Sequence, residues 1–127
     1  MKLEDILLVE DDPAIQTVAK MALELVGGFR VRVCGSGEEA LEAARSGPQL
    51  ILLDVMMPGM DGTTVLQRLR AAPETAHIPV VFMTAKAAAG EVEQLRLLGA
   101  LDVIAKPFDP MTLSETVGRI WERRASS

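Results

Sequence analysis

Apolar and polar positions alternate in blocks along this chain, and the blocks have two textures. Short runs rich in Val, Ile and Leu lie at Ile6–Val9, Val31–Val33, Leu50–Leu53, Pro79–Met83 and Leu101–Ala105. Runs of that length, bounded by turn residues, read as buried strands. Between them the apolar residues are spaced for helices. Ile15, Val18, Ala19, Ala22, Leu23 and Val26 share one helical stripe, and Val65, Leu66 and Leu69 form a shorter one. Val92, Leu95 and Leu98 form another, as do Leu113, Val117, Ile120 and Trp121.

Turn and cap residues punctuate these blocks. Asp12-Pro13 and Asp109-Pro110 each place a capping carboxylate before a proline at a first helical position. Ser36-Gly37-Glu38-Glu39 fits a capping box. Gly27-Gly28 and Gly99 stand where helix ends need a left-handed residue, and Pro73 closes the third helix. The result is five strands alternating with five helices. Strict alternation predicts an α/β fold with a parallel sheet covered by helices on both faces. No linker or repeat interrupts it, so residues 1–127 read as a single domain, with 122–127 a frayed polar tail.

Composition narrows the function classes. With 127 residues the chain can bury roughly two-thirds of its unfolded surface without staples. A single cysteine, Cys34, excludes an internal disulfide framework and reads as a small buried hydrophobe. Runs such as Ile78–Met83 are too short to cross a bilayer, and Met1–Asp5 carries no secretory signal, so the expected setting is cytoplasmic, away from membranes. A net charge of −5 disfavours nucleic acid as a partner of this domain. Aromatics are 3% of the chain and tyrosine is absent.

Chemistry collects where the strands end. The first runs into Glu10, Asp11 and Asp12; the third into Asp54; the fourth ends at Thr84; the fifth at Lys106-Pro107. In open α/β sheets function gathers beyond the carboxyl ends of the strands. Carboxylates held a few ångströms apart repel by several kcal/mol in a partly buried site, so something must offset them. A hard divalent cation with oxygen ligands does this, and few protein ligands favour Mg²⁺ over Ca²⁺. There is no Cys/His cluster for zinc. A cation, a lysine, a hydroxyl and a carboxylate nucleophile together describe phosphoryl transfer. Asp12 and Asp61 are better read as cap or turn residues than as ligands. Met56, Met57 and Met60 read as gap-fillers, and His77 as an ordinary loop residue.

The sequence Ile6-Leu7-Leu8-Val9-Glu10-Asp11-Asp12, then Asp54-Val55-Met56-Met57-Pro58-Gly59-Met60-Asp61-Gly62, then Thr84-Ala85, then Lys106-Pro107-Phe108 resembles the receiver domain of bacterial two-component response regulators. The resemblance covers essentially the whole chain. It implies a flavodoxin-like, doubly wound five-stranded parallel sheet in the order 2-1-3-4-5. It implies that Asp54 accepts a phosphoryl group from a histidine kinase or phosphotransfer protein. It makes Asp11, Asp54 and the Met56 carbonyl ligands of Mg²⁺, with Glu10 helping through water; many members have Asp at that position. It assigns Thr84 and Lys106 to the phosphoryl oxygens, pairs Lys106 with Asp54 before transfer, and makes the Lys106-Pro107 peptide cis.

The resemblance also implies a switch that catalyses only its own phosphorylation and dephosphorylation, and so is not otherwise an enzyme. Its output is a changed surface around the fourth helix, fifth strand and fifth helix, read by a downstream effector protein or domain. The domain is then a monomer or a phosphorylation-dependent homodimer. One departure stands out. Many receivers carry Tyr or Phe three residues before the lysine, and this chain has Val103. Two other classes stay open: a degenerate receiver acting as a constitutive interaction module, and a Mg²⁺-dependent aspartyl-phosphate phosphatase. The phosphatase needs a second acid two residues past the nucleophile, where Met56 stands.

Overall fold

A computed structural model describes residues 1–124 of the chain. The strands are β1 (Asp5–Val9), β2 (Arg30–Cys34), β3 (Leu50–Asp54), β4 (Val80–Thr84) and β5 (Asp102–Ala105). The helices are α1 (Pro13–Met21), α2 (Gly37–Ala44), α3 (Gly62–Ala71), α4 (Ala89–Leu97) and α5 (Leu113–Arg124). All pairings are parallel, in the order β2-β1-β3-β4-β5. The parallel sheet covered on both faces is the one that the alternation predicts, and its order is the one that the resemblance implies.

The apolar runs are continuous because both sheet faces are covered. Leu7, Val9, Ile51, Leu53, Val80 and Phe82 face α2, α3 and α4, joined by Ala40, Ala44, Val65, Leu66, Leu69 and Leu95. Their strand neighbours Ile6, Leu8, Leu50, Leu52, Val81 and Met83 face the other way, onto Ala19 and Leu23 near α1 and onto Leu113, Val117, Ile120 and Trp121 of α5. The edge strand β2 alternates exposed Arg30 and Arg32 with Val31 and Val33, which blunts that edge against pairing with another chain.

The caps act as their residue types require. The Asp12 carboxylate accepts from Ala14 N, Ser36 Oγ from Glu39 N, and Asp61 from Thr64 N. Gly28 and Gly99 take the left-handed conformation, whereas Gly27 does not. Asp109 accepts from Met111 N, but Pro110–Thr112 form a turn and α5 proper starts at Leu113. Glu122, Arg123 and Arg124, expected to fray, are helical; 125–127 of the expected tail lie outside the described residues.

Two stripes depart from the expected spacing. After Met21 the first helix widens into a π-helical turn over Ala22–Val26. The extra residue per turn shifts the phase, so Leu25 and Val26 face solvent, and Val18 is also exposed. The buried Ser114 hydroxyl donates to Ala22 O at 2.9 Å, tying this turn to α5. On α4 only Leu95 is buried, while Leu98 lies outward.

Gly62 fixes how α3 meets the end of β3. Its N–H donates to Val55 O at 2.9 Å, and a Cβ there would lie 2.3 Å from Asp54 O. No flexible side chain is available to give way. Gly62→Ala is expected to lower stability by about 1–3 kcal/mol. Gly118→Ala, in α5 with open space at its Cβ, is expected to raise it by about 0.5–1 kcal/mol. Thermal unfolding of both variants checks the pair; equal effects would contradict the close approach at Gly62.

Candidate functional site

The parallel register brings the strand ends to one edge. Val9 pairs with Leu53, Asp54 with Met83, and Thr84 with Ala105. Hydrogen bonds continue past the strands: Glu10 N donates to Cys34 O, Val55 N to Met83 O, and Lys106 N to Thr84 O. Glu10, Asp54, Thr84 and Lys106 are therefore carried by one backbone lattice. Asp11 is one residue further along the first strand.

Carboxylate oxygens of Glu10, Asp11 and Asp54 lie within 4.8 Å of one another. Glu10 is 1% exposed and Asp54 4%, while Asp11 is half-buried. The Lys106 ammonium sits among them, 2.6 Å from Glu10 Oε1 and 3.1 Å from Asp54 Oδ1. One ammonium does not balance three carboxylates. Burial pushes the Asp54 carboxyl up to about 6; the Lys106 hydrogen bond opposes this, and the charge of Glu10 adds to it. Burial works against the Lys106 charge, but the hydrogen bonds it donates to Glu10 and Asp54, with the charges of those acids, outweigh it and hold its pKa above the ordinary value. A compact set of hard oxygen donors with surplus negative charge fits Mg²⁺.

The other predicted residues surround this centre. Thr84 is buried at the end of β4, and its Oγ1 accepts from Lys86 N at 3.0 Å. The Lys106-Pro107 peptide is cis. Val103 is half-buried and pairs with Phe82, so no aromatic ring occupies that position. Met56 lies in the loop past Asp54 with its side chain exposed; Met57 is buried, so gap-filling holds for Met57 and not for Met56. Asp12 and Asp61 cap helices, as expected, and hydrogen bonds from Thr64 and Thr63 hold Asp61 below the usual carboxylate range. Cys34 is buried, and burial raises its thiol pKa.

Three features escaped the sequence. The closer partner of Lys106 is Glu10, not Asp54. Gly62 is needed for close backbone contact at the end of β3. An open, largely apolar groove of about 430 Å³ runs between Ile15 and Val18 of α1 and the Lys106–Phe108 segment. Only Glu10 left a signal, being one methylene longer than the expected Asp.

A profile of the response regulator receiver domain matches residues 6–118. The chain is 34% identical over 123 residues to response regulator Rre1 of Synechocystis, covering 96% of this chain and 53% of that protein. It is 43% identical over 105 residues to the Synechocystis DNA-binding dual master transcriptional regulator RpaA, covering 82% of this chain and 43% of that protein. The chain thus spans about half the length of these relatives. Among solved structures it resembles the receiver domain of sensor histidine kinase PA1611 from Pseudomonas aeruginosa, determined with a magnesium ion coordinated in the active site cleft. The TM-score is 0.81 at 32% identity, covering 98% of this chain and 99% of that one. With the family match spanning nearly all of the sheet and helices, the chain belongs to the response regulator receiver domain family.

Proposed function

We infer that this domain is a phosphorylation-dependent signalling switch that accepts a phosphoryl group on Asp54. The observation that carries the reading is the buried Asp54 carboxylate, held in register beside Lys106 and grouped with Glu10 and Asp11. An Asp54 oxygen attacks phosphorus as the P–N bond to a donor imidazole breaks. The O–P bond forms, and the donor leaves as neutral histidine after taking up a proton. Lys106 stabilises the transferred oxygens. Glu10, Asp11, Asp54 and the Met56 carbonyl are the groups that would hold Mg²⁺. When bound, Mg²⁺ offsets the carboxylates and withdraws charge from the phosphoryl oxygens.

The groove between α1 and Lys106–Phe108 opens beside this site and suits the apolar side of a histidine kinase or phosphotransfer protein. The domain catalyses only its own phosphorylation and dephosphorylation, and passes its state to a downstream effector protein or domain. No helix among the described residues is long and apolar enough to cross a membrane. The output route differs from one based on an aromatic at Val103. Thr84 Oγ1 now holds Lys86 N; turning the hydroxyl to a phosphoryl oxygen gives up that bond. The helix beyond is loosely seated at its start, since Ala88 offers no side-chain cap and only Leu95 is buried. Its far end is pinned, because Asp102 binds both Arg96 of α4 and Arg123 of α5.

Incubation with Mg²⁺ and acetyl phosphate is expected to give a single phosphoryl adduct by intact mass, absent in Asp54→Asn. No adduct with any donor would favour a constitutive interaction module, and turnover of many phosphoesters would favour a phosphatase.

The raised pKa has a sign that stability measurements read directly. Folding favours the protonated Asp54, so the cost of its charge is absent below 3.8 and fully present above about 6. In metal-free buffer Asp54→Asn is expected to gain on wild type as pH rises through this window, by on the order of 2–3 kcal/mol. A pH-independent difference in denaturant unfolding would contradict the burial argument.

A beryllium trifluoride adduct, mimicking the phosphoryl group, is expected to speed amide exchange at Lys86 and in the first turn of α4. Unchanged protection across Lys86–Leu98 would rule out this route.

A further inference from the structure

We propose that Glu10 is the positioning residue for Lys106, drawing its ammonium toward itself so that Asp54 keeps only the longer contact. The inference rests on the reading of Asp54 as phosphoacceptor and assigns Glu10 a role distinct from helping a metal through water.

Every polar group of Glu10 is engaged. Its N–H donates to Cys34 O at 3.0 Å, and its carbonyl accepts from Gln16 Nε2. Oε2 accepts from Asp12 N at 3.1 Å, and Oε1 receives the Lys106 ammonium at 2.6 Å. The side chain is thus aimed by its neighbours, at a residue 96 positions away and two strands beyond β3. Its contact with Lys106 is the shorter of the two, by 2.6 Å against 3.1 Å for Asp54. Charge-assisted bonds near 2.6–2.8 Å are the strong ones.

The extra methylene of Glu explains the geometry. An Asp at position 10 would end about 1.5 Å sooner and its carboxylate would fall short of the Lys106 ammonium. The ammonium would then settle on Asp54. That carboxylate must offer its oxygens to a metal and to phosphorus, and an ammonium bonded to it competes with both. With Glu10 in place, Lys106 stays near enough to meet a transferred phosphoryl group while its shorter contact is made with Glu10. Glu10 therefore acts on Asp54 through the lysine.

A double-mutant cycle on the metal separates this from a direct role. Mg²⁺ affinity is measured calorimetrically, without any phosphoryl donor, for wild type, Glu10→Asp, Lys106→Met and the double variant. Glu10→Asp is expected to weaken Mg²⁺ binding roughly three- to tenfold in the wild-type background and less than twofold when Lys106 is absent. Equal changes in both backgrounds would place the effect on the metal itself and overturn the proposal, as would no change in either. A second measurement does not depend on Glu10→Asp folding. In metal-free protein the Lys106 ammonium is expected to keep a slowly exchanging ¹H–¹⁵N signal in Asp54→Asn. Loss of that signal would show that Asp54 holds the lysine. This arm needs neither metal nor phosphoryl group, so it decides the role of Glu10 even if the domain takes up no phosphate.

Discussion

Two buried carboxylates on adjacent strands share one ammonium, and much of this molecule is arranged around that sharing. Glu10 and Asp54 are nearly inaccessible to solvent, and Lys106 reaches both. Removing three such groups from water is costly, and their mutual attraction offsets it only when the geometry is fixed. The fixing comes from the sheet. Glu10 N, Val55 N and Lys106 N each continue a strand ladder by one hydrogen bond beyond its last paired residue. The acids and the lysine are thereby set on a lattice whose spacing the core enforces. The residual negative charge, with Asp11 beside it, is what a bound cation would offset.

That lattice is rigid because it is packed on both faces. Every residue of β3 and of β4 is buried. Alternate side chains go to opposite helical layers, so a shift of one strand would disturb both cores at once. Gly62 extends the constraint to the loop after Asp54, where α3 rests on bare backbone. Asp54 is therefore held by a strand, a neighbouring strand and a helix start together.

The sequence carried the strands, their parallel pairing and the gathering of the strand-end acids and lysine for a plain physical reason, while the order came from the family resemblance. Continuous apolar runs and strand-end acids are local patterns, and a doubly wound sheet converts local patterns into one edge. What it did not carry depends on reach or phase. The π-helical turn at Ala22–Val26 slips the helical phase by one residue, which no periodic stripe records, and so turned Val26 outward. The close approach at Gly62 is a backbone contact across the loop that follows Asp54, which no periodic pattern records. The preference of Lys106 for Glu10 rests on half an ångström and one methylene. Pattern reading sees both acids and the lysine but not which acid is nearer.

The contrast between this edge and α4 bears on how a state change leaves the site. On the proposed reading, a phosphoryl group on Asp54 would meet strands β3 and β4 that are buried along their whole length between two helical layers. It can draw on the Thr84 hydroxyl, whose partner is the Lys86 amide in an uncapped loop. Beyond that loop the helix buries one residue and is tied at its far end through Asp102 to Arg96 and Arg123. Motion that begins at Thr84 thus meets little resistance at the start of α4 and an ion-paired anchor at its end. A ring at position 103 would give a second, bulkier route through the sheet edge. Val103 carries no ring to supply it. The weak seating of α4 is then not a defect of packing but the compliant part against which a rigid site can do work.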